Sequence, residues 1–560
     1  MEFKKIALTA ASVFFVSGLM AQSHITDYAW NPEDETYSES CTSIMVGKNA
    51  STDGSVMTAH SCDSNYRTWL RMEKRRYFKK GDMETIYKGL LHNEEPGDMR
   101  NVTEKGKIPA PDSTFRFLNV AYPCLNEKQL AIGETTTVGK RELRNEEGMF
   151  YIEELERIAL ERCTNARDAI RLMGELAEKY GYADYGECLT VADKNEVWHF
   201  EIYGTGKPVV DSVALKKGKK VKPSPYDKPG ALWVAQRIPD DHVGVSANIP
   251  KIGVVDFNDP ENFMYGSDLK ARVQHMGLWD GKSEFKFYKM VSLSKPFSYR
   301  EFFVLNTLAP SLKLDFNAEE IPFSVKPEVK VSPEMMFKFY RETYEGTDWD
   351  QVKNLGVEVK RSKKDADGKT INYKETVKPI STFMSADMRS LLNFLKPDVT
   401  KMIRTIAVIQ CSYSHIIQLR NWLPDEIGGV AYFSFDNPAQ SPRIPIYAGA
   451  TKLPDGFDVC GQHRYRDDAA IWAYRQANRI ATIYWDKTRK LVEDEVAYYE
   501  EYMRTVQPLI EAKVADLLKA GKQAEAEEFI NKTTATIANA TSKSWSDLKE
   551  KLLMVFVRSM

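Results

Sequence analysis

Residues 38–65 read SESCTSIMVGKNASTDGSVMTAHSCDSN. A short β-prone run begins on Cys41, passes a turn cluster rich in Gly, Asn and Asp, and resumes as a second β-prone run that closes on an acid, Asp63. Two such runs around a turn cluster predict a hairpin. The segment before it, residues 22–40, is polar and acidic with few aliphatic side chains, and predicts an irregular leader that buries little surface. The hairpin therefore opens the folded part of the chain.

Working outward, further strands are predicted in KQLAIGETTT (128–137), NEVWHFEIYG (195–204), ALWVAQRI (231–238), HVGVSAN (242–248), TIAVIQCSYSHIIQL (405–419) and GGVAYFSF (428–435). Between them lies helix: YIEELERIALERC (151–163), then a second helix with Thr164 as N-cap, Ala169, Leu172, Leu176 and Tyr180 on one face, and Gly181 as its stop. Strands, a helical block and strands again predict a layered α+β domain rather than a regular parallel βαβ array. Residues 258–397 are richer in Pro, aromatics and charge, include the hairpin-like VKRSKKDADGKTINYKE (359–375), and read as an insertion shaping the rim. After Arg466 helical periodicity dominates, ending in an Ala/Glu/Lys-rich tail.

Bulk properties narrow the function. The 560 residues are 43% hydrophobic and 28% charged, enough for a large core. With 77 basic against 79 acidic residues, the formal charge of −2 gives no field that would attract nucleic acid or an anionic membrane. Lys4 and Lys5 precede an apolar stretch, Ile6 to Met20, that ends near the small residues Ala21 and Ser23, the pattern of a secretory signal peptide. The stretch is shorter than the roughly 20 residues that span a bilayer, and nothing later approaches that length. No Cys stands at the cleavage point to carry a lipid. The expectation is a soluble exported protein, periplasmic or extracellular. Seven cysteines are too few for a disulfide scaffold, an odd number leaves one thiol free or paired between chains, and no CxxC pair or Cys/His cluster has zinc-like spacing.

The chemistry turns on Cys41. Were the Ser40–Cys41 bond cut, the nitrogen of Cys41 would change from an amide into an α-amine with a pKa near 7.7–8.0. That amine sits on the same residue as a thiol of pKa about 8.5, which needs an adjacent base or positive charge to become a good nucleophile. One terminal residue would supply nucleophile and base, and the leader would act as a chemical lock. The bland alternative is an inert cysteine buried in a strand.

The stretch from Cys41 to Asn65 resembles the mature N-terminus of the dipeptidase A-type cysteine peptidases, related to the secernins, within the N-terminal-nucleophile hydrolases. LNEKQLAIGETT (125–136), NEVWHFEI (195–202), WVAQRIPDDHVGVSANIPKIG (233–253), SHIIQLRNWLPDEIGGVAYF (414–433) and IWAYRQANRIA (471–481) resemble family blocks in the expected order. The resemblance implies a four-layer αββα fold, self-activation by cleavage before the cysteine, and hydrolysis of short peptides with no metal or other cofactor. By residue, Cys41 matches the nucleophile and Asp63 the acid that orients its amine, with an Asx-type turn as the alternative for Asp63. Relatives carry an arginine three residues before that acid, where this chain has His60, which receives no role. Asn248 resembles an oxyanion donor, with a turn cap as its alternative. The second donor is left open between Glu134 and Thr136, and Arg404 is a charged partner by position alone.

The expected organisation is a signal peptide (1–21), a leader (22–40), a hydrolase domain (41–465) with the insertion at 258–397, and a helical region (466–560). The expected partners are short peptides, without nucleic acid or stable membrane insertion, and self-association is left open. Two competing functions stand beside dipeptide hydrolysis: an acylase of the bile-salt or penicillin V kind, and a secreted binding protein with an inert Cys41. Other strings favour bland readings. GTGKP (204–208) lacks phosphate-loop spacing and reads as a hairpin turn; DADG (365–368) lacks the closing Glu of a calcium loop; SDLK (546–549) reads as solvated helix; and no histidine makes HExxH.

Overall fold

A computed structural model describes residues 40–137, 139–207 and 224–559. The predicted signal segment and all of the predicted leader except Ser40 lie outside the described residues, and the chain entering the predicted GTGKP turn passes outside them at Pro208.

Strands in chain order are β1 (Ser40–Val46), β2 (Val56–Asp63), β3 (Arg71–Glu73), β4 (Met83–Lys88), β5 (Thr103–Pro109), β6 (Phe117–Asn119), β7 (Leu125–Asn126) and β8 (Ala131–Thr136). They continue as β9 (Glu187–Ala192), β10 (Val197–Tyr203), β11 (Leu232–Ile238), β12 (Val243–Ser246), β13 (Phe263–Tyr265) and β14 (Ser324–Val325). The last are β15 (Val357–Lys364), β16 (Thr370–Val377), β17 (Cys411–Leu419), β18 (Gly429–Phe435) and β19 (Ile444–Tyr447). The predicted hairpin is β1–β2. It forms because residues 47–54 supply the turn: Gly54 has φ +87°, and a Cβ on Gly47 would lie 2.4 Å from the Asp240 carbonyl oxygen.

One sheet runs β14-β12-β1-β2-β17-β18-β19 and a second β13-β11-β10-β9-β8-β7-β6-β3, with antiparallel pairing throughout. Polar side chains join them face to face: Thr58 Oγ1 lies 2.5 Å from Thr190 Oγ1, and Ser43 Oγ donates to the Glu134 carbonyl at 3.0 Å. The helices Ile152–Arg162 and Ala166–Tyr180 pack on the second sheet, and Tyr299–Leu308, Pro333–Tyr340, Ala470–Ala481 and Gln523–Ser559 on the first. The fold is α+β, as expected, with mixed helices and antiparallel sheets. Among the described residues no helix is long and apolar enough to cross a membrane.

Several local expectations need correction. The second helix is capped by Asn165, not Thr164: the Asn165 side chain accepts the Asp168 N–H, while Asp193 takes the N–H of Ala166, so the helix begins one residue later. Its buried face is Ala166, Ala169, Ile170, Met173 and Ala177, leaving Leu172, Leu176 and Tyr180 half-buried. Small residues win because the helix lies close to the sheet; a Cβ on Gly174 would meet the Trp233 ring at 2.4 Å. The strand read across 405–419 starts only at Cys411, since residues 404–410 leave the sheet and the Gln410 carbonyl takes the Ser64 N–H at 2.9 Å. The SDLK helix is not solvated on all sides: Trp545 and Leu548 are buried, and Trp545 Nε1 donates to the Gln440 carbonyl at 3.1 Å. The hairpin expected at 359–375 is β15–β16.

Candidate active site

The register of β1 against β2 sets Cys41 opposite Cys62 and Ser40 opposite Asp63, all four buried. On the other side of β1, β12 ends at Ser246, and two residues on Asn248 adopts φ +65°, a left-handed conformation that asparagine tolerates. That turn brings its amide to the start of β1. Asn248 Oδ1 accepts the Cys41 N–H at 2.9 Å, and Nδ2 donates to the Thr136 carbonyl at the end of β8 at 2.6 Å. One amide thus ties both sheets to the backbone of Cys41, and one N–H of Nδ2 remains beyond the Thr136 bond.

A buried guanidinium reinforces this clamp. Arg300 stands in the first turn of the helix Tyr299–Leu308, which is fixed by a capping box between Ser298 and Glu301. Its Nη1 donates to the Cys41 carbonyl and, at 3.0 Å, to Thr42 Oγ1; its Nη2 donates to the Ala247 carbonyl at 3.0 Å and to Asn248 Oδ1 at 2.9 Å. Burial, followed by the neighbouring Arg404 charge, lowers its pKa to about 10, so it stays charged at neutral pH. Tyr340 OH adds a bond to the Thr42 carbonyl at 2.7 Å. Arg300 and Tyr340 both come from the segment read in sequence as rim; that segment also supplies the floor of the site. Three of their five partners are backbone carbonyls, those of Cys41, Thr42 and Ala247, which leave no sequence pattern to detect.

On the far side, Arg404 donates from Nη2 to Asp63 Oδ2 and, at 2.7 Å, to Ser40 Oγ, which it also meets through Nε at 3.0 Å. Ser61 Oγ donates to Asp63 Oδ2 at 3.4 Å, whereas Asp63 Oδ1 is buried without a hydrogen-bond partner. The structure therefore brings Cys41, Asp63 and Asn248 together and puts Arg404 on Asp63. His60 faces the space between the sheets, with Nδ1 2.7 Å from the Glu134 carbonyl, and burial lowers its pKa to about 4. In the segment left open for the second donor, Thr135 Oγ1 lies 2.6 Å from Ser246 Oγ and Thr136 Oγ1 donates to Glu134 Oε1 at 2.8 Å.

With Ser40 still joined to it, Cys41 has no α-amine to serve as a base. Burial pushes its thiol well above the usual range, and the Cys62 hydrogen bond and the charges of Glu134 and Asp63 act in the same direction. Its nitrogen is an amide and holds no lone pair for a proton. All seven cysteines are buried and unpaired.

The site is thus a buried cysteine at the head of a strand, its backbone held by an asparagine and an arginine, with an aspartate carrying an unpartnered oxygen opposite the preceding residue. The profile of Peptidase family C69 matches residues 40–497, so the chain belongs to that family of cysteine peptidases of the N-terminal-nucleophile type. It is similar to a probable dipeptidase of Latilactobacillus sakei, 24% identical over 543 residues that cover 92% of this chain and 94% of that protein. Dipeptidase A of Lactobacillus helveticus is 23% identical over 433 residues, 75% of this chain and 77% of its own. Probable dipeptidase B of Streptococcus pyogenes serotype M1 is 21% identical over 541 residues, 93% and 94% respectively.

Proposed function

We propose that this chain is an exported cysteine dipeptidase that activates itself by cleavage between Ser40 and Cys41. The observation that carries the reading is the Cys41 N–H held at 2.9 Å on Asn248 Oδ1, beside the unpartnered Oδ1 of Asp63. Cleavage turns that amide into an amine with more than one N–H: Asn248 Oδ1 keeps one, and Asp63, opposite residue 40, takes another and raises the amine's basicity. The amine then accepts the thiol proton. The sulfur attacks the scissile carbonyl carbon, a C–S bond forms, and the carbonyl electrons move to an oxyanion held by the remaining Nδ2 N–H of Asn248 and a second donor near Thr136. The Cys41 ammonium returns its proton to the leaving nitrogen, the C–N bond breaks, and water releases the acyl group from sulfur.

The wider proposal follows the same line. The two facing sheets with helices outside each support a four-layer αββα arrangement, with a hydrolase domain over 41–465, its insertion at 258–397, and a helical region from 466. Lys4, Lys5 and the apolar stretch after them support export to the periplasm or beyond the cell. The names of the relatives favour dipeptides over the acyl amides of an acylase.

The test is the intact mass and N-terminal sequence of exported protein, with rates on a panel of dipeptides and acyl amides. The expected result is a chain starting at Cys41 that cleaves dipeptides, and a Cys41→Ala variant that keeps residue 40 and cleaves nothing. Active enzyme with Ser40 still attached overturns self-activation, and preference for acyl amides overturns the dipeptidase assignment.

A further inference from the structure

We propose that Cys41, His60 and Cys62 form a binding site for one soft divalent cation of the zinc or cadmium kind, and that an ion there blocks the nucleophile. The blocking part rests on Cys41 being the nucleophile; the binding part does not. Cys41 and Cys62 are cross-strand neighbours, and His60 precedes Cys62 by two residues, which returns it to the same face of β2. The three side chains are fully buried, and their ligand atoms all lie within 4.8 Å of one another. Tetrahedral zinc, with bonds of about 2.3 Å to sulfur and 2.0 Å to nitrogen, needs ligand atoms roughly 3.3–3.8 Å apart, so binding draws in any pair that lies near the 4.8 Å limit. Two thiolates and an imidazole are the donor set that selects such ions over magnesium or calcium.

The histidine is prepared as a ligand. His60 Nδ1 lies 2.7 Å from the Glu134 carbonyl oxygen and 3.3 Å from the Glu134 backbone N–H; the shorter carbonyl contact favours the tautomer that carries the proton on Nδ1 and a lone pair on Nε2, and Nε2 is buried with no hydrogen-bond partner. A backbone acceptor on the far ring nitrogen is the usual support of a metal-bound histidine.

A second Cys/His/acid group, Cys188, His199 and Glu201, lacks this openness. There His199 Nε2 already meets Glu201 Oε1 at 2.9 Å, and the same oxygen accepts the backbone N–H groups of Lys251 at 2.7 Å and Ile252 at 2.9 Å. Tyr203 OH holds the other oxygen at 3.1 Å. Its carboxylate is spent on the fold, although His199 Nδ1 is, like His60 Nε2, buried without a hydrogen-bond partner.

On binding, each thiol loses its proton to solvent as its sulfur lone pair forms a metal–sulfur bond. The Cys41 lone pair is then unable to attack a carbonyl, and three protein ligands leave one position open.

The test titrates Cd²⁺ into purified full-length protein kept reduced by a non-chelating phosphine, following thiolate-to-metal absorption. One ion per chain is expected, with affinity at least about tenfold weaker in Cys62→Ser, Cys62→Ala and His60→Gln and unchanged in Cys188→Ser; circular dichroism verifies the fold of each variant. Dipeptide turnover by the processed enzyme should fall with added Zn²⁺ and return with a chelator. Unchanged Cd²⁺ affinity in both Cys62 variants, or loss in Cys188→Ser instead, overturns the site. Inhibition reversed by reductant and not by chelator overturns it in favour of a Cys41–Cys62 disulfide. Protein that cleaves no dipeptide yet loses Cd²⁺ binding with Cys62 supports the site while removing the function proposed above.

Discussion

Replacing Arg300 by lysine tests the clamp on Cys41 most directly. The guanidinium is a fork, with Nη1 serving the Cys41 carbonyl and Thr42 Oγ1 and Nη2 serving the Ala247 carbonyl and Asn248 Oδ1. A lysine ammonium keeps the charge but offers its donors from one point, so it serves one side of the fork and abandons the other. The abandoned side leaves at least one buried acceptor without its bond, since Asn248 Oδ1 keeps the Cys41 N–H, which predicts a loss of about 1–3 kcal/mol in unfolding free energy. Urea unfolding at neutral pH reads that loss. In turnover, if Cys41 is the nucleophile as proposed, loss of the bond to its carbonyl lets it drift from its attack geometry, and a displacement of the order of 1 Å costs about 10²-fold in kcat/KM. A double-mutant cycle with Asn248→Gly, which also suits the φ of +65°, isolates the Nη2 to Oδ1 contact and should give a coupling energy of about 0.5–3 kcal/mol. An Arg300→Lys enzyme with the wild-type urea midpoint and kcat/KM within about twofold of wild type would refute the reasoning, because it would mean that the four bonds do not hold the nucleophile.

Asp63→Asn keeps the shape of the side chain and removes the charge that Arg404 and the new amine share. Uncut chain should accumulate on intact-mass analysis, and the processed fraction should lose about 10²-fold in kcat/KM, the lower end of what a positioned base contributes; wild-type processing with a wild-type rate would remove Asp63 from the chemistry. Glu153 gives a pH dependence. Burial raises its carboxyl from 4.5 to about 8, so the folded state binds a proton that the unfolded state has released between those values. The stability it contributes is complete below pH 4.5 and is lost as pH rises through 8, a fall of about 4 kcal/mol in unfolding free energy by pH 8. Chemical denaturation at pH 5 and pH 8 should show a smaller drop for Glu153→Gln than for wild type, and equal drops would contradict the buried proton.

Much of this could be read from the sequence because it is local. The hairpin was legible because Gly, Asn and Asp crowd one turn between two β-prone runs; Asn248 was legible only through the family resemblance of its block, its local setting reading equally as a turn cap. Arg404 was legible only as a charge before a late strand, since its contact with Asp63 exists because residues 404–410 leave the sheet before β17 pairs with β2. Arg300 was not legible at all: it stands 259 residues from Cys41, inside an apolar helix, and reads that residue through a carbonyl that every residue possesses. The thiol–imidazole cluster was hidden for a related reason. His60 and Cys62 are two residues apart, which is no metal motif, and the third member arrives only through strand register. Register is a pairwise property of two strands, and a slip of one residue between β1 and β2 would turn every side chain of one strand to the opposite face. The same register that makes the cluster also sets Ser40 opposite Asp63, so under the proposed cleavage the departing residue vacates the place beside the acid that the amine of Cys41 would use. Under that proposal, latency and activation are two states of one pairing, separated by a single peptide bond.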